Sequence, residues 1–378
     1  MKLENNKIIV IPDSFKGTLT SVEICNAMKN KIKELIPDCR VLTIPIADGG
    51  EGTASCFLYA LKNSRKVEMI ASGPFGEPVS CFYTRYQNTA IIEMAQTAGL
   101  LLVENHLNPC KATTYGVGEM IAHAIRNGCT EIIIGLGGSC TNDAGVGCAR
   151  ALGVDFFDKT GTVFTPTADT LDQIHSFDLA KANQLLNRCC VTAMCDIDNP
   201  MYGSNGAAYV FAPQKGADEA CVKLLDDNLK ALSSVIITCL DRDVSTLPGA
   251  GSAGAMGAGI VAFLGGQLKS GIDTILDFIH FDEELADTDL IFTGEGKIDH
   301  QSLNGKAVIG IAKRARVEKV PVIAVVGAIG EGAMGAYELG VNAIFSINTT
   351  ATDYEIARHH SKENLEITMN NIIKTLLV

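Results

Sequence analysis

Three stretches of this chain share one construction: a short β-branched run, then a polar loop carrying glycine, then a helical pattern. They are "NKIIVIPDSFKGT" (6–18), "EIIIGLGGSCTNDAG" (131–145) and "DLIFTGEGKIDHQS" (289–302). Unbroken apolar runs of this length are strands buried on both faces, which is how parallel sheets read. Parallel neighbours need a crossover, and the helical patterns supply it, so the chain is committed to α/β architecture with right-handed βαβ units. Near the start, Val22, Ile24, Met28, Ile32 and Leu35 recur at helical spacing after Thr20 or Ser21 as cap, predicting a helix over 20–35 and a second strand over 39–50. The end of the chain repeats this grammar: a strand and loop over 286–296, a helix over 305–317, strands over 320–327 and 343–348, and a helix over 353–376.

The middle differs. Residues 66–103 alternate strand-like runs with turn signals such as "SGPFGEP" and "YQNT", predicting an antiparallel meander. A helix over 113–128 stopped by Gly128, the 131–137 strand, a helix opening at 141 and a helix near 217–240 follow, while 155–190 carries no readable pattern. The expected organisation is one doubly wound domain from residues 1–66 and 280–378, with a second α/β domain, 67–279, inserted between them. The glycine-rich stretch 247–268 has no charge and is long enough to span a bilayer. It has no companion span, so a buried helix and no membrane partner are expected.

Charge narrows the function classes. Thirty-one basic against 43 acidic residues leave −12, with no basic face for nucleic acid. Thirteen cysteines without a C-x-x-C spacing point to a reducing cytoplasm, and the first apolar run is too short for a signal peptide.

Ligands of open parallel sheets sit beyond the carboxyl ends of strands. "PDSFKGT" places Asp13, Ser14 and Lys16 there, either as a helix cap with an exposed lysine or as a point charge for carboxylate or phosphate. "ADGGEGT" (47–53) carries Asp48 and Glu51 among three glycines that let backbone approach a ligand. "GLGGSCTND" offers Gly137, Gly138, Ser139, Thr141 and Asn142, but it lacks a P-loop lysine, so backbone N–H groups and a helix start would cradle phosphate. "CDIDNPMYGSNGAAYVFAPQKGA" (195–217) crowds Asp196, Asn199 and Lys215 into turns, and "TGEGKIDHQS" adds Glu295 and Asp299. "GAGSAG" (249–254) matches G-x-G-x-x-G, but no convincing strand precedes it and no acid follows at a strand end, so the Rossmann reading fails. Oxygen donors dominate these loops, which suits Mg²⁺ better than Zn²⁺.

Six segments in order, "IPDSFKGTLTS", "PIADGGEGT", "GLGGSCTNDAGVG", "DIDNPMYGSNGAAYVFAPQKGA", "GAMGAGIVAFL" and "TGEGKIDHQSLNGK", resemble the bacterial glycerate kinase family. The chain departs from the family pattern at Cys140 (usually alanine), Ala144 (usually glycine) and Ala307 (usually proline). The resemblance implies a flavodoxin-like domain plus a second α/β domain with the active site in the cleft, and ATP-dependent phosphorylation of D-glycerate with Mg²⁺. The implied product is 2-phosphoglycerate, with 3-phosphoglycerate as the alternative, and a homodimer is left open. On this reading Lys16, Asp48 and Asp196 are catalytic. Asp13, Ser14, Lys16, Glu51, Asn199 and Lys215 bind substrate. Gly137, Gly138, Ser139, Thr141, Asn142, Glu295, Asp299 and Lys306 bind nucleotide, with Asp48, Asp196 and Glu295 as metal ligands. The competing classes are an NAD-dependent oxidoreductase of small hydroxy acids and a non-catalytic glycerate sensor.

Overall fold

The structure, a computed structural model, describes residues 4–47, 49–50, 52–350 and 353–378. Asp48 and Glu51 therefore lie outside the described residues. The chain divides into two compact units, one of residues 1–48, 55–62 and 270–378, the other of 49–54 and 63–269. The main junctions fall at 62/63 and 269/270, where positions within about ten residues of 66 and 280 were expected, and residues 49–54 group with the second unit. The helix Gly271–Phe278 packs on the first unit's own helices, and Phe278 stacks edge-on against Phe57 with ring centroids 5.4 Å apart.

The first unit is built on a five-stranded sheet in the order Ala343–Ser346, Val322–Val326, Leu290–Gly294, Lys7–Pro12, Arg40–Thr43. Every pairing is parallel. Counted along the chain the order is 2-1-3-4-5, the flavodoxin-like arrangement. The three central strands are buried along their whole length, as their unbroken apolar runs require. The helix Ser21–Leu35 starts with a capping box between Thr20 and Glu23, two residues with reciprocal bonds to each other's backbone. Its apolar stripe, Ile24, Met28 and Ile32, shares a core with Leu365, Met369 and Ile372 of the last helix, Ser361–Leu376. The strand expected over 39–50 ends at Thr43, although the Ile44 and Ile46 N–H groups still bond Val10 O (2.8 Å) and Pro12 O (3.2 Å).

The second unit holds a six-stranded mixed sheet in the order Gln267–Lys269, Cys190–Met194, Glu131–Gly135, Thr89–Glu93, Pro78–Tyr86, Arg65–Ser72. The last three strands pair antiparallel, as the meander predicts. Thr89–Glu93 also pairs parallel with Glu131–Gly135, which welds the meander to the βαβ half. The unreadable stretch 155–190 contains a ribbon of strands two or three residues long, Asp155–Phe157, Val163–Phe164 and Ser176–Asp178, and then the helix Ala180–Leu186. The glycine-rich stretch forms the helix Ser252–Phe263, buried from Gly254 onward. Among the described residues no helix is long and apolar enough to cross a membrane.

Candidate active site

In the 2-1-3-4-5 sheet the strand order reverses between the first and third strands, and ligands bind beyond that edge. These strands are Lys7–Pro12 and Leu290–Gly294, in register with Pro12 opposite Gly294. The next residue on each side is a carboxylate, Asp13 and Glu295, both largely buried. The Asp13 N–H donates to Gly294 O at 2.8 Å, and Asp13 Oδ1 accepts the Ser14 N–H at 2.6 Å. Phe15 then anchors the loop in the core and bonds back from Leu19, and Lys16 is left exposed at the tip. A Cβ on Gly296 would lie 3.3 Å from Lys16 N, so the loops after the two strands run side by side. Asp299 pairs with Lys297 at 3.1 Å and accepts the Gln301 N–H at 2.9 Å. The Lys297 bond holds the Asp299 carboxyl below the usual range. Lys306, half-buried, occupies the cap position of the helix Ala307–Val317.

The second unit presents its own carboxyl edge. Glu93, Gly135 and Met194 stand in register on neighbouring parallel strands, and Asp196 follows at the end of the third, half-buried. The loop 136–145 rises from this edge. Its Gly137 N–H is taken by Gly49 O at 3.0 Å, and a Cβ on Gly137 would come within 2.5 Å of Gly50 Cα. The glycine at 137 thus serves the contact between two glycine loops, whereas Gly138, at φ +74°, is exposed.

Asp143 is fully buried under the loop. Its Oδ2 accepts from Thr114 N (2.8 Å), Thr114 Oγ1 (2.9 Å) and Gly147 N (3.3 Å), and its Oδ1 from Gly145 N (3.1 Å). Burial pushes its carboxyl up, and these donors oppose the shift. The helix expected to open at 141 begins at Val146 and has only six residues, because Ala144 and Gly145 both take left-handed conformations. The sequence-based expectation that a helix N-terminus would cradle phosphate does not carry over to so short a helix.

Lys215 was expected on substrate but is buried, with Nζ donating to Ser139 Oγ (3.0 Å) and Thr141 O (2.7 Å). Asn199 spends its side-chain amide N–H on Asn205 O (2.8 Å), and its main-chain carbonyl accepts the Gly251 N–H (2.8 Å). Both side chains hold turns together. The "GAGSAG" segment follows no strand, and its end, Ala253 and Gly254, together with the next residue, Ala255, is left-handed. Gly254 O takes the Ala144 N–H at 3.0 Å, and a Cβ on Gly254 would meet Thr141 O at 2.1 Å. Only glycine allows these two segments to touch. Thr141 Oγ1 and both amide atoms of Asn142 are buried and make no hydrogen bond among the described residues.

The family model of the glycerate kinase family matches residues 8–377. The chain belongs to the glycerate kinase family. A glycerate kinase of Bacillus cereus is 42% identical over 97% of both chains. A glycerate 2-kinase of Escherichia coli is 38% identical over 98% of both. A crystal structure of a Salmonella typhimurium LT2 protein assigned to the same family superposes with a TM-score of 0.87 at 38% identity, covering 98% of each chain. As a glycerate kinase the protein is a phosphotransferase, which removes the oxidoreductase and sensor readings.

Two residues of the site escaped the sequence reading. Glu93 is 4% exposed and accepts the Ala54 N–H at 2.5 Å, fixing the start of the helix Thr53–Ala60. A carboxylate ending the buried run "TAIIE" was the available signal. Thr114, whose backbone and hydroxyl both hold Asp143, is invisible without the pairing of distant segments. Ala144 sits at φ +51°, where this chain departs from the family's glycine. A left-handed alanine costs roughly 1–2 kcal/mol, partly offset by glycine's greater chain entropy. Ala144→Gly is therefore expected to stabilise the protein by up to about 1 kcal/mol, read as a higher urea midpoint at unchanged slope.

Proposed function

We propose that the protein transfers the γ-phosphoryl group of ATP, with Mg²⁺, to the 2-hydroxyl of D-glycerate. The observation that carries the nucleotide part is the loop 136–145, with its exposed Gly138 and the buried polar groups of Thr141 and Asn142. Buried hydroxyl and amide groups are costly unless partnered, and phosphate oxygens and the waters around them are suitable partners. The 2-position follows the name of the Escherichia coli relative.

Phosphoryl transfer asks a protein for positioning and charge neutralisation rather than covalent chemistry. In the first unit, Lys16 and Ser14 bind the glycerate carboxylate or the group in transit, with Asp13 shaping their loop through the Ser14 N–H. In the second, Gly138, Thr141 and Asn142 face the nucleotide phosphates, and Lys215 and Ser139 support them from below. Among the described residues no cluster of three or more potential metal ligands occurs. That fits Mg²⁺, which takes one or two carboxylates and completes its shell with phosphate and water. A single strand-end carboxylate, Glu295 in the first unit or Asp196 in the second, would hold it, and Mg²⁺ would supply charge neutralisation on the phosphates. Lys306 and Asp299 complete the first unit's third loop, and one of the carboxylates Asp48 and Asp196 accepts the hydroxyl proton. The many carboxylates make the metal and the lysines indispensable in a chain of net charge −12.

A ³¹P NMR assay with ATP, Mg²⁺ and D-glycerate tests this directly. The expected signal is 2-phosphoglycerate, absent when Mg²⁺ is chelated. A 3-phosphoglycerate signal would overturn the assigned position, and ADP without phosphoglycerate would overturn the acceptor.

A further inference from the structure

We propose that Lys215 is a positioning residue for this transfer, its ammonium holding the loop 136–145 in the shape that meets phosphate. This rests on the reading above for its catalytic consequence, though not for its structural one. The side chain is 2% exposed and donates to Ser139 Oγ and Thr141 O, two residues apart on the loop. The lysine is itself held in place. It ends the single turn Pro213–Lys215, its N–H bonds Ala212 O at 2.9 Å, and the next residue, Gly216, is left-handed at φ +94°. A Cβ on Gly216 would come within 2.6 Å of Leu107 Cβ.

A buried ammonium is expensive, and an apolar chain of equal length would pack there at less cost. What the apolar chain lacks is donors to Ser139 and Thr141, and a positive charge under a loop that receives polyanions. The groups acting on that charge lie on the loop: the Asp143 carboxylate and the Cys140 thiol. Burial pushes the thiol up to about 12, so it is neutral, while Asp143 favours the charged lysine. Burial outweighs both and brings Lys215 down to about 8. The sign is then fixed: the ammonium predominates below about pH 8 and is progressively lost above it, so the clamp weakens as pH rises.

Lys215→Met tests the assignment by hydrogen exchange at the loop amides and by steady-state kinetics across pH. The expected results are faster exchange over residues 138–143 and a loss of about 10–10²-fold in kcat/KM, as for a misplaced reacting group. The alkaline limb near pH 8 of the native protein should be missing in the variant, which a purely packing role would not change. Should the variant fail to fold, the native protein gives a second reading. Loop amides, corrected for intrinsic rates, should lose protection through pH 8 while Ile132–Ile134 of the adjacent strand do not. Unchanged loop exchange in the variant, or a limb that persists in it, overturns the proposal. Absence of glycerate phosphorylation by the native protein would overturn the functional reading alone, since the exchange data still report the clamp.

A separate observation concerns Cys110 and Cys221, whose sulfurs lie 2.9 Å apart across 111 residues of chain, both part-exposed. We infer that this pair is an oxidation site for a peroxide. Burial pushes the Cys110 thiol up to about 12, so the Cys221 thiol is the one oxidised by H₂O₂ to a sulfenic acid with release of water. Its neighbour then displaces the sulfenic oxygen as a second water, leaving a disulfide. The bond would tie the start of the helix Glu219–Leu240 to the segment leading into Thr113 and Thr114, which hold Asp143. Peroxide treatment followed by peptide mapping should give the 110–221 crosslinked pair and a higher Tm, because a long loop is closed in the unfolded chain. Cys221→Ser should lose both. If Cys110 and Cys221 stay alkylatable at a peroxide dose that oxidises the exposed Cys190 and Cys239, the inference fails.

Discussion

Asp143→Ala unfolds at a far lower urea concentration than the native chain, with a loss of about 3–5 kcal/mol. The carboxylate is fully buried and accepts from Thr114 N, Thr114 Oγ1, Gly145 N and Gly147 N, so its removal leaves those donors without an acceptor where water has little access. The same change withdraws the negative charge that favours the Lys215 ammonium, so the alkaline limb of activity moves to lower pH in whatever protein folds. Asp143→Asn keeps one acceptor but turns an amide N–H₂ towards another donor, so its cost is intermediate. Equilibrium denaturation of the three proteins decides the matter, and a loss below about 1 kcal/mol for the alanine variant would show that the donors find other partners.

Lys16→Ala is expected to lower kcat on the order of 10²–10³-fold while leaving stability within roughly 0.5 kcal/mol. The side chain is exposed at the tip of the loop after the strand Lys7–Pro12, at the reversal of strand order, so little packing is lost with it. A group acting in the transition state lowers kcat and kcat/KM together, whereas one that only binds ground-state glycerate raises KM at constant kcat. Steady-state kinetics at saturating ATP and varied glycerate separate the two. Near-native turnover would remove Lys16 from the transfer step.

The doubly wound sheet was legible because its strands are buried on both faces, and burial of that kind writes unbroken apolar runs such as "KIIVIP" and "VIAVV". The loops proposed to carry the site stand out for the same reason: they follow such runs directly. Residues 155–190 were not, since strands of two and three residues have no period to detect. Lys215 was read as a substrate-binding charge in a turn, and only contacts with Ser139 and Thr141, more than seventy positions away, show it buried beneath the loop. The left-handed run at Ala253–Ala255 was equally hidden, because two of its three residues are alanines, which favour the right-handed helix. Its cause is tertiary, the bond from Ala144 N to Gly254 O.

The central strand Lys7–Pro12 lies between Arg40–Thr43 and Leu290–Gly294, and Thr293 Oγ1 bonds Ile11 O across 282 residues. During synthesis the first strand leaves the ribosome long before its partner exists. At typical elongation rates the wait is roughly 15–60 s. Throughout it the run "KIIVIP" has one open edge and only the short strand Arg40–Thr43 to pair with. Residues 63–269, by contrast, are complete before the missing strand is made. The nascent first unit is thus the part of this chain that most needs shelter by a chaperone, and slowing translation past residue 269 should raise its aggregated fraction.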